Sequence, residues 1–184
     1  KLDKTISSVF IQSPNYNGLI EDPSIIVDDI KSNKSLLIMG VNPLMLSIFK
    51  TPGEIGADIV VGDAQPFGIP MSYGGPYLGF MLTTKKLMRK MPGRLCGETK
   101  DVDDKRGFVL TLQAREQHIR RDKANSNICS NQSLNVLAAT IFMSTMGKNG
   151  MTEMATQNYQ KSHFVYNLVT SLDKFEVVYE GEFF

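Results

Sequence analysis

The sequence predicts an α/β fold, with a mostly parallel sheet and helices on both of its faces. Two observations lead there. Residues 36–39, 57–62 and 78–82 are near-continuous apolar runs without an alternating polar face. Strands of that kind belong to sheets covered on both sides, as parallel sheets are. Stretches with apolar residues at helical spacing lie among these runs, and alternation of the two is the pattern of an α/β layer structure.

Each element follows from local chemistry. Residues 7–12 are a short apolar run closed by Pro14, Asn15 and Gly18, a strand leading into a loop. Residues 23–30 read as a helix, with Asp22 as N-cap and Pro23 at the first helical position. Residues 44–49 read as a short helix ended by Pro52 and Gly53. Residues 85–91 suggest a basic amphipathic helix, 93–107 a polar loop, and 108–112 a strand. Residues 133–146 form a helix rich in Ala, Leu and Met, broken by Gly147 and Gly150. A second long helix over 151–172 and a strand at 177–179 follow. The expected division is a portion of a large α/β domain over 1–150 and the start of a smaller one over 151–184. The chain starts at Lys1 and stops at Phe184, both beside strand-like runs, and reads as a piece of a longer protein.

Composition narrows the function classes. A chain of 184 residues with net charge +1 has no overall field directed at nucleic acid or a membrane surface. Cys96 and Cys129 are too few for a secreted disulfide framework, and free thiols in a reducing compartment are the simpler reading. No apolar run reaches the ~18 residues of a spanning helix, so a soluble, cytoplasmic protein is expected. His118 and His163 have no ligand-like spacing to the cysteines, so no metal site is expected.

Two constellations carry possible chemistry. Tyr73, Gly74 and Gly75 lie between two strands, where successive N–H groups form either an anion nest or an ordinary tight connection. The stretch 115–132 is dense in groups that bind anions and polar ligands. It holds Arg115, His118, Arg120, Arg121, Lys123, Asn127, Cys129, Asn131 and Gln132. Ser130 or Asn131 is placed to cap the following helix, and a helix start beside arginines suits phosphate or carboxylate. The plainer alternative is a solvated basic loop with ordinary capping. Nucleic acid is a poor third, because Glu116 and Asp122 interrupt the charge. Cys129 is either a thiol of lowered pKa or a buried structural one.

These residues resemble the glycine cleavage system P-protein family. The resemblance lies in 115–121 and 127–132, in Met91-Pro92-Gly93-Arg94-Leu95 with Gly97-Glu98-Thr99, and in 106–113. Ser13-Pro14-Asn15-Tyr16-Asn17-Gly18 with Glu21 and Asp22 is similar to a family loop. The chain resembles subunit 1 of the split bacterial form. That resemblance implies the type I pyridoxal-phosphate transferase-like fold. It also implies decarboxylation of glycine and passage of an aminomethyl group to the lipoyl H-protein, with a lysine-bearing subunit 2 as partner.

The family's catalytic subunit carries its cofactor lysine in a segment Lys-Thr-Phe-x-x-Pro-His-Gly-Gly-Gly-Gly-Pro. Here Phe67, Pro70, Gly74, Gly75 and Pro76 fall in register, the lysine position is Gln65 and the histidine position is Met71. A Gln amide is not nucleophilic and cannot replace the amine. The implied reading is that pyridoxal phosphate is held by the partner and no catalytic residue lies on this chain. Tyr73, Gly74, Gly75 and the 115–132 stretch would then face the shared active site. Two alternatives stay open: a purely structural partner subunit, or a self-sufficient pyridoxal-phosphate transaminase or lyase.

Overall fold

A computed structural model describes residues 2–124 and 132–184. The chain separates into two compact units: Lys1–Leu82 with Gln132–Phe184, and Thr83–Asn131.

The first unit is built on a four-stranded sheet: β1 (Ser8–Ser13), β2 (Leu36–Val41), β3 (Ile59–Asp63) and β4 (Gly79–Thr83), in that spatial order. β1, β2 and β3 are parallel. Their register matters for function: Ser13 pairs with Val41, and Val41 with Gly62, so the three strands end level. Gly62 is fixed by space. A Cβ there would stand 2.5 Å from both the Val41 carbonyl oxygen and Cζ of Phe80.

Between β1 and β2, Asp22 accepts the Ser24 N–H at 2.9 Å and Pro23 opens a 3-10 turn. This turn leads into α1 (Val27–Ser32). The Asp22 cap is the one expected, and the Ser24 N–H holds its carboxyl below the usual carboxylate range. Val27 and Ile30 of α1 pack on Leu37, Met39 and Val41, with Val9, Ile11, Ile55 and Val60 around them. Ile30, Leu37 and Met39 are the largest fully buried side chains.

Between β2 and β3 the expected helix over 44–49 is only a 3-10 turn, Met45–Ser47. Pro52 begins α2 (Pro52–Ile55) rather than ending a helix. Thr51 caps it: the Glu54 carboxylate accepts the Thr51 N–H at 2.8 Å, and Thr51 Oγ1 accepts the Glu54 N–H at 3.4 Å. Proline favours a helix's first turn, where its missing N–H costs nothing.

The second unit has a hairpin, β5 (Leu95–Lys100) and β6 (Arg106–Thr111), antiparallel from Leu95 opposite Thr111 to Lys100 opposite Arg106. The expected loop over 93–107 is therefore half strand. The expected basic helix over 85–91 is a 3-10 helix, Lys85–Lys90. After the hairpin come a 3-10 turn, α3 (Gln117–Arg120) and another turn, Arg121–Lys123.

Back in the first unit, α4 (Ser133–Thr170) is two helices joined at Gly147, whose φ 60 and ψ −177 are non-helical. Gly147 breaks the helix as expected, whereas Gly150 stays inside it. Among the described residues 177–179 form no strand. Val177, Val178 and Tyr179 are exposed.

Candidate functional site

A parallel sheet whose strands end level leaves a crevice outside their carboxyl ends, where ligands of open α/β sheets bind. The first unit has such a cleft, of about 630 Å³. Gln12 from the end of β1, Asn42 after β2, and Asp63 at the end of β3 supply its polar groups. Phe10, Val61, Pro66 and Tyr77 supply apolar walls, and Gly40 keeps its floor low. Gln65 lines the same cleft, two residues beyond β3.

The Gln65 turn is tightly built. The Asp63 carboxylate accepts the Gln65 N–H at 2.8 Å, and the Gln65 side-chain amide donates to the Ile69 carbonyl at 3.0 Å. Gly68 has φ +80, and a Cβ on it would stand 2.6 Å from Cδ2 of Phe142 of α4. So α4 clamps the turn from outside. Near the start of α4, Asn135 donates to the carbonyls of Pro76 and Tyr77 at 2.9 and 3.1 Å, anchoring the cleft's aromatic wall.

The donor set of the cleft can be tested against a phosphorylated pyridine aldehyde. Such a group needs an amine for covalent attachment and cations or convergent N–H groups for its phosphate. The lining has amides and one carboxylate, and neither Lys nor Arg. The described residues that line this cleft do not fit the group. What the cleft offers is neutral hydrogen bonding beside two aromatic rings.

Other predicted residues lie elsewhere. Tyr73 is fully exposed at φ 47, and Gly74 has φ 93. Neither they nor Gly75 line the cleft. In the second unit Arg115 is buried, at 6% exposure. Its guanidinium donates to the carbonyls of Met91 and Gly93, while its Nε has no partner. Arg115 therefore holds the Met91-Pro92-Gly93 turn and is not free to meet an anion. Glu116 is equally buried, with Oε1 unpartnered. His118 is exposed, with Nε2 3.4 Å from Gln113 Oε1. Arg120, Arg121 and Lys123 are exposed, as is Gln132 of the first unit. Asn127, Cys129 and Asn131 lie outside the described residues.

Tyr77 closes the Tyr73-Gly74-Gly75-Pro76-Tyr77 connection and Asp63 lies in the Gln65 stretch, whereas no motif marks Gln12 or Asn42. The signal for Gln12, Asn42 and Asp63 is positional: each stands at or just past the end of a predicted apolar run. Among the described residues no group of three His, Cys, Asp or Glu is placed to hold a metal, and no helix is long and apolar enough to cross a membrane.

The comparisons with known proteins agree with one another. The family model described as "Glycine cleavage system P-protein" matches residues 1–184. A probable glycine dehydrogenase (decarboxylating) subunit 1 from Anoxybacillus flavithermus is 53% identical over 184 residues, covering 100% of this chain and 41% of that protein. The corresponding protein of Staphylococcus carnosus is 57% identical over 166 residues, covering 90% of this chain and 37% of the relative. A crystal structure of glycine decarboxylase (P-protein) of the glycine cleavage system, in inhibitor-bound form, superposes with TM-score 0.94 at 39% identity. It covers 100% of this chain and 42% of that one. The chain thus spans about two fifths of the length of the relatives it matches.

Proposed function

Because the chain belongs to the glycine cleavage system P-protein family, we propose that it is part of the non-lysine subunit of a glycine decarboxylase. In this reading a lysine-bearing subunit 2 holds the pyridoxal phosphate, which supplies the electron sink for loss of carbon dioxide from glycine. The aminomethyl group then passes to the lipoyl H-protein. This chain keeps the sheet and the crevice but leaves the covalent chemistry to its partner. The setting is a bacterial cytoplasm. Residues 1–150 belong to the large domain, and 151–184 begin the small one.

The observation that carries the reading is Gln65, two residues beyond β3 in a cleft whose lining holds no Lys or Arg. A side-chain amide already donating to Ile69 offers neither nucleophile nor proton acceptor to an aldehyde. The chain's own contribution is then positioning and electrostatics. Arg120, Arg121 and Lys123 are exposed cations available to a partner's anionic group. Arg115 shapes the loop that precedes β5. Tyr73 and Gly74 are exposed, and half-buried Gly75 continues the same turn, for a partner to cover.

The test uses the full-length subunit and its partner, separately and together. Borohydride treatment after adding pyridoxal phosphate is expected to fix the cofactor on the partner alone. A fixed cofactor on the isolated subunit described here would overturn the assignment. In the reconstituted pair, Arg120→Ala is expected to lower glycine–bicarbonate exchange. Weakened assembly with unchanged per-site turnover would instead make the subunit a structural partner.

A further inference from the structure

Helix α4 holds the cleft at the strand ends from two sides. The sheet order puts Pro14, just after β1, on one side of that cleft. Pro66 and Tyr77, from the connection between β3 and β4, lie on the other. The half of α4 before Gly147 grips this second side. Asn135 donates to the Pro76 and Tyr77 carbonyls, and Phe142 packs against Gly68. The half after Gly147 reaches the first side through residues 182 and 183.

This far grip is made of rings and hydrogen bonds. The Tyr159 hydroxyl donates to the Glu182 carboxylate at 2.5 Å. His163 donates from Nε2 to the Phe183 carbonyl at 3.1 Å. Its ring stacks on that of Phe183, with centroids 4.1 Å apart and planes 7° from parallel. Phe49 meets Tyr159 and Phe184 edge-on. Residues 182 and 183 in turn pair with the loop after β1. The Ile20 N–H donates to the Glu182 carbonyl at 2.8 Å, and Leu19 and Phe183 form an antiparallel bridge. The loop itself is closed by Asn15, whose Oδ1 accepts the N–H groups of Asn17 and Leu19 at 2.9 and 3.1 Å. Contacts on the far half of α4 are thereby carried to the residue beside Pro14.

Between the two grips stands a single non-helical residue. Gly147, at φ 60 and ψ −177, occupies a backbone region essentially restricted to glycine. A Cβ there would meet nothing within 4 Å, so backbone freedom and not space calls for glycine. We propose that Gly147 is a hinge, and that the angle between the two halves of α4 sets the width of the cleft. Each half is stiffened by its own ladder of backbone hydrogen bonds, whereas the joint has left helical geometry. A bend at Gly147 moves Pro14 relative to Tyr77 and so changes what the cleft admits. The device is internal to the first unit and does not depend on which reaction the complete subunit serves.

The experiment measures amide exchange by mass spectrometry on the full-length subunit. Alanine at 147 disfavours the observed joint and favours a continuous helix, so one grip must yield. The far grip acts through the intervening residues 182 and 183 and should yield first. Gly147→Ala is therefore expected to speed exchange about tenfold at residues 15–20, with the β2 amides at their original rate. Phe183→Ala releases the same grip without touching the joint and should accelerate the same amides. The double variant should go no further than the larger single effect, because both act through one arm. Unchanged exchange at 15–20 in Gly147→Ala, equal acceleration in β2, or additive effects in the double variant overturns the proposal. Should Gly147→Ala not fold, Asn135→Ala and Phe183→Ala decide alone. A hinge lets each loosen only its own side of the cleft, 76–77 or 15–20. Loosening of both sides by either variant would mean a rigid α4 and no hinge.

Discussion

The two units are held together by opposite means. In the first, Val27, Ile30, Leu37, Met39 and Val41 form a continuous apolar cluster, and the sheet's register follows from burying it. In the second, Ala124 is the only buried apolar residue among the described ones, and the other buried side chains are Arg115 and Glu116. A two-stranded hairpin with so little apolar burial is marginal by itself. Its conformation rests on particular hydrogen bonds rather than on hydrophobic area. Packing fixes a shape tolerant of exposed polar change, whereas a polar interior fixes a loop whose side chains stay outside, available to a partner.

The comparison can be broken most forcefully at Leu37. It is 1% exposed. Leu37→Ala should cost about 2–5 kcal/mol of unfolding free energy by transfer and cavity terms together, read from a shift of the urea midpoint. A smaller loss than for an exposed position would refute the account of the first unit.

Arg115→Ala tests the second unit. Removing the guanidinium leaves the Met91 and Gly93 carbonyls without that donor and Glu116 without its buried neighbour in sequence. The expected loss is about 1–3 kcal/mol. It should appear as faster amide exchange across 91–95 and 106–116, with the β1–β3 amides unchanged. Uniform acceleration over both units would mean that they unfold as one.

The smallest effect is expected at Thr51. Thr51→Ala removes a capping box from an exposed helix start in a packed unit, worth about 1 kcal/mol. It also has a pH signature. The Thr51 backbone N–H, then its hydroxyl, hold the Glu54 carboxyl below its usual range. A lowered folded-state pKa gives stability that is complete above the unfolded-state value and is lost as pH falls through the folded one. Glu54→Gln should therefore flatten the acid limb by lowering stability at neutral pH, and leave stability below the folded-state pKa nearly unaffected. An unaltered acid limb would count against the cap.

How much was legible follows the same division. The strands of the first unit announce themselves, because burial on both faces demands continuous apolar runs. Asp22 was legible as a cap from side-chain chemistry alone. β5 was hidden because Glu98, Thr99 and Lys100 are solvent-exposed and become strand only by pairing with β6. Pro52 after an apolar run signals a stop, but the Thr51–Glu54 capping box makes it a helix start. The run 177–179 has strand-like residues but no strand beside it among those described. Gln65 was legible only through register with a related segment. The rest of its cleft depends on three strands ending level, a fact of pairing that no single segment records. Arg115 misled for a related reason: an arginine in a polar run looks free until its depth is known.

The Gln65 turn has a consequence for what a single substitution can achieve. Glutamine and lysine codons differ at their first base, so the amine is among the nearest changes available to this position. The site is not. A lysine at 65 would find the Ile69 carbonyl waiting for its ammonium and no basic residue along the strand ends to receive a phosphate. A change to lysine at 65 is a short step in sequence and a long one in chemistry, because the amine alone does not supply the cations a phosphate needs.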